Sequence, residues 1–137
     1  MKFNNMKRKV IIDTDPGHDD VLAIILMVKS GLFDIQAITT VAGNSTIENV
    51  TRNAAYVLDL LHARSIPIYC GERQPIKRAL IQAVVHGTSG LTGADTSKTA
   101  ISFSHNAAEK IIELARANPK KITLLTLGPL SNIARAF

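Results

Sequence analysis

The sequence predicts an α/β fold: a mostly parallel sheet with helices on both faces. Three observations predict it. Short apolar, β-branched runs alternate with longer segments of helical period, the pattern of a parallel sheet covered on both sides. A chain of 137 residues with 46% hydrophobic content can bury one real core. Unusual chemistry gathers just after three of the apolar runs, at Asp13–Asp20, Val41–Asn44 and Thr126–Pro129. Open α/β sheets bind ligands outside the carboxyl ends of their strands.

Val10 to Asp13 reads as the first strand. Asp19 to Ser30 reads as a helix stopped by Gly31. Val21, Leu22, Ile25 and Val28 share one of its faces, and Ile24, Leu26 and Met27 make the other apolar too. The helix is therefore expected to be largely buried. Ile35 to Val41 is the second strand and Gly43-Asn44 a turn. Ser45-Thr46-Ile47-Glu48 forms a capping box that opens a helix to about Ala63. Pro67 to Cys70 is the third strand. Gly71 to Ser104 is irregular, and within it Ile76 to Val85 fits strand or helix. A loop this long inside a domain is often functional. Asn106 to Asn118 is a helix closed by Pro119, Ile122 to Leu127 the fourth strand, and Ser131 to Phe137 the start of another helix.

The net charge of +5 does not mark a nucleic-acid binder, because its basic residues are scattered and stacking aromatics are few. The longest apolar run, Val21 to Val28, is far too short to span a bilayer. The basic N-terminal stretch is followed by three apolar residues and then acids, which is no secretory signal. A single cysteine, Cys70, cannot form an internal disulfide and reads as a small buried hydrophobe, so a cytoplasmic location is expected.

Four of the 11 acidic residues fall in one octet, Asp13-Thr14-Asp15-Pro16-Gly17-His18-Asp19-Asp20. No Lys or Arg lies between Asp13 and Val28. Carboxylates crowded at the end of a buried strand repel and need a cation, a proton or a substrate. Asp13 and Asp15 share one face of the strand, whereas Asp19 and Asp20 begin a helix, where the macrodipole favours negative charge. Helix capping explains an isolated acid pair, and loop amides explain Asp13, but neither explains all four. Oxygen-only donors suit Ca²⁺ or Mg²⁺ rather than zinc. His18 could be a ligand, an acid/base group or a solvent-facing loop residue, and the last is favoured because hard cations prefer oxygen. For His86, a substrate contact and a surface position fit equally. His62 and His105 fit a helix surface and a helix start.

The octet resembles the signature of the inosine-uridine preferring nucleoside hydrolases. The resemblance continues through Ile38–Asn44, Thr51-Arg52-Asn53-Ala54, His86–Leu91 and Leu127–Ala134, in the family's order. It implies a Rossmann-like sheet and hydrolysis of the N-glycosidic bond of ribonucleosides to ribose and free base, with one bound Ca²⁺. By position, Asp15 and Asp20 would ligate calcium through their carboxylates, and Leu127 through its backbone carbonyl. Asp15 would also be the general base. Asp19 would bind ribose hydroxyls, Asn44 ribose or the calcium shell, and Asp13 would support the site by hydrogen bonding. The family's chain is more than twice as long, and its later half holds a further aspartate ligand and a histidine near the leaving base. Residues 1–137 are therefore expected to form the N-terminal part of a single nucleoside hydrolase domain, inactive alone, with the leaving-group acid beyond Phe137. A cytoplasmic homo-oligomer, dimer or tetramer, is expected at full length, with a ribonucleoside as partner and neither nucleic acid nor membrane. The alternatives are a non-catalytic truncated fragment and a haloacid-dehalogenase-type phosphotransferase. The latter wants Thr or Val two residues after the second Asp, where this chain has Gly17.

Overall fold

Five parallel strands in the order β4-β3-β2-β1-β5 form the sheet of the computed structural model, which describes residues 7–137. In chain order the elements are β1 (Arg8–Thr14), α1 (His18–Ser30), β2 (Phe33–Thr40), α2 (Ile47–Leu60), β3 (Ile68–Cys70), β4 (Ser104–His105), α3 (Ala107–Ala117), β5 (Ile122–Thr126) and α4 (Ser131–Ala136).

Alternation along β1 explains why both faces are covered, since successive side chains point to opposite sides. Val10 and Ile12 pack with Ile38 and with Ile24, Met27, Ala54 and Leu58 of α1 and α2. Ile11 points the other way, and packs with Ala37, Ile111 of α3 and Ile133 of α4. Ile12, Ile24 and Ile38 are fully shielded, each burial contributing about 2 kcal/mol. In α2 the buried residues Ile47, Val50, Thr51, Ala54 and Leu58 recur at helical spacing and form one stripe.

Helix α1 departs from expectation. Only Asp20, Ile24 and Met27 are buried on it. Leu22 is 62% exposed and Leu26 is 70% exposed. Ile24 and Met27 meet the sheet and α2, and among the described residues nothing covers the opposite side. Gly31 ends the helix in the left-handed region (φ 67°), as expected of a residue without a Cβ.

The second helix is capped by Thr46, whose side chain accepts from the Asn49 N–H, and not by Ser45. Ser45 is buried and donates instead to the Thr88 carbonyl at 2.7 Å. The segment 76–85 is neither strand nor α-helix; a single 3₁₀ turn, Val84–His86, begins at its end. His105 lies not at a helix start but in the two-residue strand β4, which pairs with Cys70 of β3. Strand β4 is too short to leave a periodic signal. No helix among the described residues is long and apolar enough to cross a membrane.

Candidate active site

Strand β1 delivers its last residues to the carboxyl edge of the sheet, where Asp13 and Thr14 are wholly buried and Asp15 is 5% exposed. Asp13 faces Thr39 across the β1–β2 register, and Thr39 Oγ1 donates to its Oδ1 at 2.6 Å. Asn132, on the first turn of α4, donates from Nδ2 to the same oxygen at 2.8 Å. The other oxygen, Asp13 Oδ2, is buried without a partner among the described residues. Burial raises the pKa of Asp13, and the Asn132 and Thr39 hydrogen bonds only partly oppose that rise.

Asp15 lies just beyond the strand. The Asn44 backbone N–H donates to its Oδ2 at 2.7 Å, and Asn44 Nδ2 donates to its main-chain carbonyl at 2.9 Å. This close approach of the β2–α2 turn requires glycine at Gly43, where a Cβ would sit 2.1 Å from Asp15 Oδ2. The Asp15 pKa is pushed up to about 7, chiefly by burial, with the charges of Asp20 and Asp19 adding to it and the Asn44 amide opposing.

Asp20 is the inward-facing acid of α1, 5% exposed. Thr14 Oγ1 donates to its Oδ1 at 2.6 Å, and the Gly17 N–H at the helix start donates to its Oδ2 at 3.3 Å. Asn44 Nδ2 also reaches that oxygen, at 3.5 Å. Asn44 thus touches both buried acids. Asp19 points out, its side chain 82% exposed, with its Oδ1 3.7 Å from His86 Nε2. The Leu127 N–H donates to the Asp13 carbonyl at 2.7 Å, which ties the β5–α4 turn to the end of β1.

Asn44 therefore joins Asp15 and Asp20, with Asp13 in the strand end just before them, Leu127 on the adjoining turn and Asp19 at the rim. Sequence reading missed four contributors. Asn132 is fully buried, donates to the Thr40 carbonyl at 2.9 Å and accepts from the Glu72 N–H at 2.8 Å. Its place on a helix opening just past a parallel strand is the signal that could have found it. Thr14 and Thr39 flank the acids through the register of a paired strand, which no local pattern reveals. His18, read above as solvent-facing, is exposed but engaged. Its Nδ1 lies 3.0 Å from His86 Nδ1, and its Nε2 lies 3.0 Å from the Thr92 carbonyl. The loop 86–92 folds back onto the start of α1, and that return brings the two histidines together.

The donor set fits a hard cation as part of a coordination shell. Asp13, Asp15 and Asp20 form no ion pair with Lys or Arg among the described residues. Three shielded carboxylates without a countercharge favour any cation that can reach them. Every nearby donor is oxygen, as Ca²⁺ and Mg²⁺ prefer. The shell is incomplete, since no group of three His, Cys, Asp or Glu among the described residues converges into a metal site. An open cavity of about 330 Å³ lies alongside, lined by Gly71, Glu72, His105, Asn132 and Arg135, but not by Asp15 or Asp20.

Residues 10–137 match the family described as inosine-uridine preferring nucleoside hydrolase. The pyrimidine-specific ribonucleoside hydrolase RihB of Escherichia coli is 42% identical over 133 residues, covering 96% of this chain and 42% of its own length. A solved plant nucleoside hydrolase superposes with a TM-score of 0.84 at 35% identity, over 96% of this chain and 42% of the plant chain. A purine-preferring ribonucleoside hydrolase from Gardnerella vaginalis superposes with a TM-score of 0.81 at 29% identity, over 94% of this chain and 43% of its own. The chain thus spans under half the length of the relatives it matches.

Proposed function

The chain belongs to the inosine-uridine preferring nucleoside hydrolase family, and we propose that the protein carrying it hydrolyses the N-glycosidic bond of ribonucleosides. Water adds to the anomeric carbon, the bond to the base breaks, and ribose and free base leave. The observation that carries this reading is the buried, uncompensated carboxylate cluster at the end of β1. The family match removes the support for the phosphotransferase reading of Asp13-Thr14-Asp15.

Asp15 is the general base. A shielded carboxylate held beside the attacking water can take its proton, and Asp15 is 5% exposed at the end of β1. Asn44 orients it by fixing one oxygen and the main chain behind it. Asp13 braces the strand end through Thr39 and Asn132. Asp19, exposed at the rim, accepts ribose hydroxyls and holds the sugar in register with the attacking water. Asp15, Asp20 and the Leu127 carbonyl would hold Ca²⁺. Calcium, when bound, would supply positive charge that acidifies and fixes water and orients the sugar hydroxyls. A bound cation also lowers the Asp15 pKa, so the value of about 7 belongs to the cation-free chain.

Relatives named for pyrimidine and for purine preference both match over nearly the whole chain. On this reading these residues carry sugar-cleaving machinery common to both. The test is to supply inosine and uridine to the intact protein, with calcium and after chelation, and to measure free base and ribose. Calcium-dependent release of base is expected; release of phosphate from p-nitrophenyl phosphate without any free base would reject the reading. The 137 residues alone are expected to bind Ca²⁺ weakly and turn over little, because a calcium site loses affinity as charged ligands are removed. Calorimetric titration showing tight binding, together with robust turnover, would mean that they hold a complete site. The intact protein is expected to sediment as a dimer or tetramer.

A further inference from the structure

Asn53 is wholly buried on α2, and only half of its amide is satisfied. Its Nδ2 donates to two main-chain carbonyls, that of Pro16 at 3.1 Å and that of Ser89 at 3.0 Å. Carbonyls only accept, so the nitrogen must face them and the amide cannot be turned round. Oδ1 is thereby left without a partner among the described residues. A buried acceptor without a donor costs free energy, and an apolar side chain of the same shape would avoid that cost. What the amide provides instead is a joint between two segments far apart in the chain.

Each segment bears on the site. Pro16 lies in the turn between Asp15 and Asp20, the two acids that Asn44 joins. Ser89 lies in the loop 86–92, which is closed on itself. The Gly90 N–H donates to the Gly87 carbonyl at 3.0 Å, and Thr92 donates from N–H and Oγ1 to the His86 carbonyl at 3.0 and 2.9 Å. Helix α2 and its N-terminal approach grip that loop one carbonyl earlier as well. Ser45 Oγ donates to the Thr88 carbonyl at 2.7 Å, and Asn49 Nδ2 reaches it at 3.3 Å. Ser45, Asn49 and Asn53 are spaced by four and so line one face. The loop lies tight on that face, since a Cβ on Gly90 would sit 3.0 Å from Ser45 Cβ and 3.3 Å from Asn53 Nδ2. Of the three side chains, Asn53 also holds the Asp15–Asp20 turn.

We propose that Asn53 is a positioning residue: its one amide nitrogen fixes the Asp15–Asp20 turn against the loop 86–92, and so aims Asp15. The aiming of Asp15 rests on the ribonucleoside reading; the joint does not.

The test uses the intact protein and two variants. Asn53→Leu keeps the approximate shape, removes both donors and adds no charge. Ser45→Ala releases the loop at Thr88 alone. Backbone hydrogen exchange, read by mass spectrometry, should quicken roughly tenfold in both 14–22 and 86–92 for Asn53→Leu, the size expected for a hydrogen bond lost from each. Ser45→Ala should quicken 86–92 and leave 14–22 as it was. Exchange that quickens in one segment alone for Asn53→Leu, or in neither, would overturn the joint. Asn53→Ala, which leaves room for water at both carbonyls, carries the same expectation if the leucine variant does not fold. Failure of both to fold would overturn the positioning role and make Asn53 a core residue. The catalytic half is read with uridine. Asn53→Leu should lower kcat roughly tenfold with a smaller change in KM, because a loosened turn misaims the base without removing a substrate contact. Ser45→Ala should change kcat by less than about twofold. An unchanged kcat in Asn53→Leu, with both segments loosened, would overturn the aiming of Asp15 and leave the joint standing. Absence of any nucleoside hydrolysis by the unmodified protein would remove the ribonucleoside reading and the aiming together, and the exchange would still decide the joint.

Discussion

One helix carries both the most shielded acid of its turn and one of the most exposed leucines of the chain. Asp20 of α1 is 5% exposed, whereas Leu26, six residues on, is 70% exposed. Asp20, Ile24 and Met27 form the inward stripe and Leu22 and Leu26 the outward one. Residue type alone predicts the reverse. What decides burial here is what stands opposite. Asp20 meets Thr14, Gly17 and Asn44, which supply hydrogen bonds in place of water. Leu26 joins no hydrophobic cluster among the described residues. The inward stripe and the carboxyl end of β1 form a polar interior with specific geometry, while the outer face of α1 is apolar but makes no specific contact.

The comparison breaks hardest where the polar interior does chemistry. Replacing Asp15 by Ala in the intact protein should lower turnover by roughly two or more orders of magnitude, because it removes the base and a cation ligand at once. Turnover near that of the unmodified protein, with calcium still bound, would show that the base lies elsewhere.

Asn132→Ala attacks the same interior through its scaffold. It strips Asp13 Oδ1 and the Thr40 carbonyl of a donor and the Glu72 N–H of its acceptor. Asp13 Oδ1 keeps the Thr39 hydroxyl and the Thr40 carbonyl keeps the Gly71 N–H, so each of the three lost hydrogen bonds should cost about 1 kcal/mol and a total loss of roughly 3 kcal/mol should appear in urea unfolding. A loss below about 1 kcal/mol would mean that the network is not held by Asn132.

The titration of Asp15 sharpens the comparison with smaller effects. Its pKa in the folded chain is raised from 3.8 to about 7, so the folded state holds that proton more tightly than the unfolded state. Stability from this group is fullest below 3.8 and is lost as pH rises toward about 7. Asp15→Asn cannot titrate. In the absence of calcium, its melting temperature should therefore gain on that of the unmodified chain as pH rises across this window. Adding Ca²⁺ at pH 8 should stabilise the unmodified chain and not the variant. A pH-independent difference between the two melting curves would contradict the raised pKa.

The outer face of α1 should give the least response. Leu26→Gln is expected to change unfolding free energy by at most about 0.5 kcal/mol, as for an exposed position. A loss of 2 kcal/mol or more would place Leu26 against a surface that the 137 residues do not describe.

Much of the fold can be read from the chain itself. Val10–Asp13, the Gly31 stop and the Pro119 break are local signals, and β1, α1 and α3 form within a few residues of where they point. The two-residue β4 cannot be read, because two residues carry no period. Capping by Thr46 rather than Ser45 is likewise decided at a distance, since the Thr88 carbonyl takes the Ser45 hydroxyl. In the site, Asp13, Asp15 and Asp20 stand out because like charges crowded after an apolar run need an explanation from the sequence alone. Asn132 and His18 do not, because an Asn in a first helical turn and a His in a loop are ordinary until their partners are known.

By itself, then, the sequence determined the alternation of strands and helices, the octet of acids and the Gly43-Asn44 turn. Each of these depends on bonds and periods only a few residues long. The tertiary structure alone decided that Asn132 bonds Asp13 across 119 positions. It also decided that His18 meets His86 across 68, and that Asp20 faces inward while Leu26 faces out. Those outcomes depend on which distant groups the parallel register and the returning loop bring within hydrogen-bond range, and no local preference encodes them.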